Sequence, residues 1–190
     1  MMSLVANPDS IVLAASAQSE GLDAVLVGGN AVNLHSYSRT TFDVDLLVRE
    51  SDCDRWLSYF QNHGYEPFHR TVNFVRLRFV ADPAKALPVD LMLADSATFA
   101  AIEGSSRRCD LGNGLSLAIP SPLHLIAMKL HALRSPARFA NGIDLQDVKH
   151  LIKTAKIDLS SKEFTDVAER YATDAIRARI LRELSEEPSS

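Results

Sequence analysis

Two aspartates one residue apart, Asp43 and Asp45, stand in the segment Thr40-Thr41-Phe42-Asp43-Val44-Asp45-Leu46. In an extended chain residues i and i+2 share a face, so their Cα atoms lie roughly 6.5–7 Å apart with both carboxylates pointing the same way. Placed together at the start of an apolar strand, they repel each other and lose hydration, and a cation relieves both costs. An all-oxygen anionic donor set suits Mg²⁺ or Mn²⁺ rather than Zn²⁺. The plainer reading is a solvated strand end, or an Asx turn feeding the strand. Asp90 adds a third acid inside Val89-Asp90-Leu91-Met92-Leu93, where an unpaired carboxylate is costly to bury unless the strand is an exposed edge. If the two strands are neighbours, three acids converge, as a two-metal site requires. Gly28-Gly29, after the apolar run Ala24–Val27, lets backbone amides approach a phosphate at a helix start. A simple turn would use the same glycines.

The elements around these residues set an α+β expectation. Asn7-Pro8-Asp9-Ser10 reads as a helix start and Gly21 as its stop. Ala24–Val27 is a buried strand, 30–37 a short helix, and 42–48 a central strand whose Leu46, Leu47 and Val48 are continuously apolar. A helix is expected over 51–62. Over 72–80, Phe74, Arg76 and Arg78 alternate with Val75, Leu77 and Phe79, the mark of a strand with one wet face. Pro88–Leu93 is a further strand, and Asn113-Gly114 turns a hairpin between 108–111 and 115–119. From Ser121 the pattern is helical, over about 121–134, 142–155, 160–172 and 173–185, with a frayed end. The layout is a mixed sheet of about five or six strands over residues 1–120, followed by a helical region over 121–190 packed on that core.

Composition narrows the class. The 190 residues carry 20 Lys plus Arg against 24 Asp plus Glu, a formal charge of -4, which excludes a uniformly basic nucleic-acid coat. Cys53 and Cys109 alone make neither a disulfide framework nor a structural zinc site. The first residues carry no basic region of a signal peptide, and no apolar run approaches the ~20 residues that span a bilayer. A cytoplasmic protein is the expectation.

Taken in order, Val25-Leu26-Val27-Gly28-Gly29-Asn30-Ala31, then Arg39-Thr40-Thr41-x-Asp43-x-Asp45, then Asp90 in a later strand, resembles the nucleotidyltransferase superfamily of the polymerase-beta-like fold. Within it the sequence is most similar to the AbiEii-type toxin family and its bacterial relatives, over about residues 20–155. The resemblance implies metal-dependent transfer of a nucleoside monophosphate from a nucleoside triphosphate to an acceptor, with release of pyrophosphate. Asp43, Asp45 and Asp90 would hold Mg²⁺ or Mn²⁺, and Asp90 could also help activate the acceptor hydroxyl. Gly28 and Gly29 would hold the triphosphate, with Arg39 and Thr41 in the same phosphate-binding set. Lys129, in Leu125-Ile126-Ala127-Met128-Lys129-Leu130, matches a family lysine that reaches the nucleotide phosphates. Asp144 resembles the first acid of the family's D-x-x-D segment, with Asp147 the second.

Departures and alternatives accompany each of these. Residues 141–143 are Asn-Gly-Ile, so the basic residue next to that segment is missing and Arg138 lies a turn or more upstream. By itself Arg39 could pair on the surface, Lys129 could snorkel and Asp144 could cap its helix. Arg76, Arg78, Arg107 and Arg108 could line a path for an anionic acceptor such as RNA, or be solvated. Phe60, Tyr65, Phe68, Phe74 and Phe79 read as core or edge packing. The acceptor would be RNA, a protein or a small molecule, and a toxin of this type would be restrained by an antitoxin partner. Two other readings stand beside it: a catalytically inactive binding or regulatory module, and an aminoglycoside-type nucleotidyltransferase.

Overall fold

The computed structural model describes residues 8–35, 37–82 and 84–186. Asn7, at the expected first helix start, and residues 187–190 of the expected frayed end lie outside the described residues. The chain divides into two compact units, one of residues up to Leu34 with Ser38–Ser121, the other of His35–Tyr37 with the chain from Pro122 onward.

The first unit is built on a seven-stranded mixed sheet. Its elements run α1 (Pro8–Ser16), β1 (Val25–Leu26), α2 (Gly28–Asn33), β2 (Val44–Arg49), α3 (Cys53–Asn62), β3 (Tyr65–Thr71), β4 (Phe74–Phe79), β5 (Val89–Ala94), α4 (Ser96–Gly104), β6 (Arg107–Gly112) and β7 (Leu115–Ile119). The strand order is β3-β4-β5-β2-β1-β7-β6, with β2 parallel to β5 and β1 parallel to β7. Strand β2 is central, as its apolar run predicts, because neighbours on both sides leave no wet edge. Val44, Leu46, Val48, Val75, Leu77, Val89 and Leu91 are fully buried, so one face of the middle strands is sealed. Alternation then sends Asp45, Asp90 and Arg76 to the other face. Asn113 and Gly114 both take left-handed φ, 53° and 74°, and turn the β6–β7 hairpin as Asn-Gly predicts.

Several boundaries differ from expectation. The sheet has seven strands rather than five or six, because β3 was not foreseen: its residues from Pro67 to Thr71 are exposed, so no alternation marks it. Helix α4 was likewise unmarked, its start set by Asp95, which accepts hydrogen bonds from the amides of Ala97 and Thr98. Helix α2 covers Gly28–Asn33 rather than 30–37, so both glycines lie in its first turn. Strand β2 begins at Val44, leaving Asp43 in the bend before it, beside a Phe42 that is 76% exposed. Phe60 and Tyr65 are core, whereas Phe68 is 48% exposed.

The second unit is helical: α5 (Pro122–Ala132), α6 (Pro136–Asn141), α7 (Ile143–Thr154), α8 (Lys162–Tyr171) and α9 (Asp174–Glu186). Helix α6 is an addition to the expected set, opened by a proline at its first turn and closed by Gly142. Apolar positions at helical spacing bury Leu125, Ile126, Leu130, Leu145, Val148 and Leu151. No helix among the described residues is long and apolar enough to cross a membrane.

Candidate functional site

In the sheet unit, register brings the acids together. Asp45 of β2 is the direct partner of Asp90 of β5, and Asp90 is in turn the partner of Arg76 of β4. His69 of β3 faces Arg76, so one row runs Asp45, Asp90, Arg76, His69 across four strands. Asp43 reaches the same place from the bend ahead of β2. Carboxylate oxygens of Asp43, Asp45 and Asp90 lie within 4.8 Å of one another. The structure therefore gathers the three acids that the sequence singles out.

The chain around them is held by α2. Asn30, 4% exposed, donates from Nδ2 to the carbonyl of Asp43 at 2.8 Å. Asn33 donates to the carbonyl of Arg39 at 2.9 Å and accepts from the Arg39 amide at 3.0 Å. The amide of Val27 donates to the carbonyl of Asp45 at 2.9 Å. Two asparagines thus fix both ends of the loop that presents Arg39, Thr41 and Asp43, a role that sequence reading missed.

Each glycine answers a different neighbour. Gly28 has φ of 64°, and a Cβ built there would overlap the Asp45 carboxylate. Gly29 has ordinary φ, but its Cβ would stand 2.8 Å from both Arg39 Nη2 and Thr41 Oγ1. Gly28 therefore makes room for an acid, and Gly29 makes room for a guanidinium and a hydroxyl.

Arg76 is the residue whose part was not foreseen. Its Nε and Nη2 donate to the two oxygens of Asp90 at 2.6 and 2.5 Å, and Nη2 also donates to Asp43 Oδ2 at 3.1 Å. The Thr41 hydroxyl donates to the other Asp43 oxygen at 3.2 Å. Burial pushes the Asp90 carboxyl above the usual range, outweighing the hydrogen bond and charge of Arg76. Asp90 itself is 3% exposed. The other three arginines do not join Arg76 in one path: Arg78 pairs with Glu66 at 2.7 Å, Arg107 donates to the Leu34 carbonyl, and Arg108 donates to Gln18 and Ser116. Arg107 and Arg108 belong to β6, at the opposite end of the strand order from β4.

The donor set fits a divalent hard cation. Three carboxylates converge with their oxygens within 4.8 Å of one another, and the space that a Cβ at Gly28 would fill is taken by the Asp45 carboxylate.

The helical unit holds a second acid–cation cluster. Lys129, buried on α5, donates to Asp144 Oδ1 at 2.9 Å and lies 2.8 Å from Asp147 Oδ2. Arg138 grips Asp144 with two hydrogen bonds, 2.6 and 3.0 Å. Arg138, upstream of positions 141–143, reaches Asp144 from α6. Asp144 does not cap α7: the cap position is Gly142, and the Asp144 carboxylate is turned to the two cations. Burial works to raise the Asp144 pKa, but hydrogen bonds from Arg138 and Lys129 and their charges bring it below the ordinary value.

No family model matches the sequence, and no curated protein matches it. Solved structures do. An antigenic nucleotidyltransferase-like protein from Paracoccidioides brasiliensis superposes with a TM-score of 0.59 at 16% identity, over 97% of this chain and 94% of that one. The antibiotic-resistance factor ANT(2'')-Ia, in a crystal structure with adenylyl-2''-tobramycin, gives 0.62 at 15% identity, over 90% and 97%. The lincosamide antibiotic adenylyltransferase LnuA with lincomycin bound gives 0.52 at 12%, over 80% and 99%. The α+β architecture with its seven-stranded mixed sheet is a nucleotidyltransferase fold.

Proposed function

We propose that the chain is a metal-dependent nucleotidyltransferase that moves a nucleoside monophosphate from a nucleoside triphosphate to an acceptor hydroxyl. The observation that carries this reading is the convergence of Asp43, Asp45 and Asp90 within 4.8 Å on a nucleotidyltransferase fold. In the reaction the acceptor oxygen bonds to the α-phosphorus as the bond to pyrophosphate breaks. Asp43, Asp45 and Asp90 would hold Mg²⁺ or Mn²⁺, which when bound offsets negative charge on the phosphoryl oxygens and the leaving group. Gly28 and Gly29 would present the amides of the first turn of α2 to the triphosphate, with Arg39 and Thr41, which stand over Gly29, in the same set. Asp90, whose carboxyl is raised by burial, is suited to take the acceptor proton. By the resemblance, Lys129 would also meet a nucleotide phosphate, beside its pairs with Asp144 and Asp147 in the helical unit.

For the acceptor, a small polar molecule bearing a hydroxyl is favoured over RNA. Support comes from the fold neighbours that act on antibiotics and from the arginines, whose contacts divide them between acids, carbonyls and opposite ends of the strand order. The second reading is a toxin of the AbiEii type restrained by an antitoxin, supported by the ordered glycine and aspartate motifs. Calorimetric titration of each Mg²⁺-nucleoside triphosphate into wild type and Asp45→Asn tests the enzyme. Binding of one triphosphate that the variant loses supports it, and no heat from folded protein points to a binding module. Growth arrest on induction, relieved by Asp43→Ala with Asp45→Ala, would select the toxin reading. Normal growth, with nucleotide transfer to an aminoglycoside or lincosamide in vitro, would select the small-molecule one.

A further inference from the structure

We propose that β6 is a self-pairing edge: a second copy of this chain lays its own β6 antiparallel against it, with Cys109 opposite Cys109. Strands β3 and β6 end the strand order, so each turns one row of backbone amides and carbonyls away from the sheet. The β3 edge is blunted, because Pro67 has no amide to give and the register on β4 breaks between Pro67 and His69. The β6 edge keeps an unbroken register on β7 from Arg107 to Asp110. Arg107, Arg108 and Asp110 are exposed there, and Cys109 is half-buried. Arg108 and Asp110 flank Cys109 and share a face. Neither meets an opposite charge among the described residues: Arg108 donates to Gln18 and Ser116, and Asp110 accepts from the Gly112 amide. Centring the pair on Cys109 sets each Arg108 opposite the Asp110 of the other copy, two complementary pairs at once. A shift of two residues would set Arg108 against Arg108 or Asp110 against Asp110, and a shift of one would turn one sheet over. The charges therefore select both the partner and the register. Cross-strand partners lie about 4.5–5.5 Å apart between Cα atoms, within the span of a disulfide, so Cys109 reports the pairing. A pairing confined to β6 is smaller than the ~1,000 Å² of a stable interface, so the dimer is weak and concentration-dependent.

The test is cross-linking by diamide at ~0.5 mM chain, where even a Kd near 1 mM leaves dimer to trap. Diamide takes two electrons and two protons from facing thiols as their sulfur–sulfur bond forms. Wild type, Arg108→Asp and Asp110→Arg are compared, and the two variants are also mixed in equal amounts, with circular dichroism confirming each fold. Wild type should cross-link through Cys109, located by peptide mass, and sedimentation equilibrium of the reduced protein should find the same dimer. Each variant alone sets like charges opposite and should give roughly fivefold less cross-linked dimer. The mixture restores an arginine opposite an aspartate in every pair and should return to the wild-type yield. A wild type that stays monomeric, a cross-link through Cys53, variant yields equal to wild type, or a mixture no better than the variants alone overturns the proposal. Should either variant not fold, wild type decides: a dimer that Cys109 cross-links supports the proposal, and a monomer, or a dimer that Cys109 does not cross-link, rejects it.

Discussion

The two acid–cation clusters use the same side-chain types toward opposite ends. In the sheet unit one guanidinium serves Asp43 and Asp90 beside a third acid, Asp45, and the Asp90 carboxyl is pushed up. In the helical unit two cations, Lys129 and Arg138, serve two acids, and the Asp144 carboxyl is pulled down. The balanced cluster is internally satisfied, as a buried pair must be to persist. In the sheet cluster Asp43 and Asp90 share one guanidinium, and the three carboxylates offer a donor set of the kind a hard divalent ion takes. The clusters differ in how these cations are shared: one guanidinium spans two acids in the sheet unit, and two cations grip one acid in the helical unit.

The comparison breaks most visibly at Lys129. Lys129→Met leaves Asp144 and Asp147 buried with one fewer cation and should lower unfolding free energy by about 3–5 kcal/mol. The measurement is urea denaturation, with Mn²⁺ binding at the sheet cluster unchanged. Asp45→Asn should do the reverse. Removing one of three crowded carboxylates leaves the melting temperature level or raised, while nucleotidyl transfer falls by about 10²–10³, as for loss of one preorganised electrostatic contact. Asn33→Ala removes both hydrogen bonds that clamp the Arg39 backbone. About 1–3 kcal/mol of stability should go with them, and KM for the triphosphate should rise with Mn²⁺ affinity unchanged.

The smallest effect is a difference of sign with pH. Asp144 lies below its ordinary 3.8, so its contribution is present above that value and is lost as pH falls through the folded pKa. Asp90 lies above its ordinary 3.8, so its contribution is present below that value and is lost as pH rises through the folded pKa. Denaturation series should find Asp144→Asn weaker than wild type at neutral pH, with the gap closing in acid. Asp90→Asn should gain on wild type as pH rises. Parallel curves for the two variants would contradict the contrast between the clusters.

What was legible in the sequence follows from range. Asp43 and Asp45 announce themselves two residues apart, and Gly28 and Asn113-Gly114 mark places where the backbone takes a left-handed φ. Asp90 could be suspected because a carboxylate inside an apolar strand is costly. Arg76 could not be assigned, since its partner lies fourteen residues away and is chosen by the register of β4 on β5. Strand β3 escaped because Pro67 and its exposed neighbours give no period to read. Arg138 was seen as a distant base, but the short helix α6 that carries it back to Asp144 was not.

The two glycines of α2 differ in what a change at each would record over generations. A lineage that exchanged Asp45 for a small residue would remove the overlap at Gly28, yet the left-handed φ of 64° would still hold glycine there. Gly29 has no such backbone demand. The nearest atoms that a Cβ there would meet belong to Arg39 and Thr41, so a descendant in which that guanidinium and hydroxyl moved away would have more room at 29. Among descendants of this chain, then, a glycine at 28 records the backbone turn, and a glycine at 29 records that the Arg39 guanidinium and Thr41 hydroxyl still stand over it.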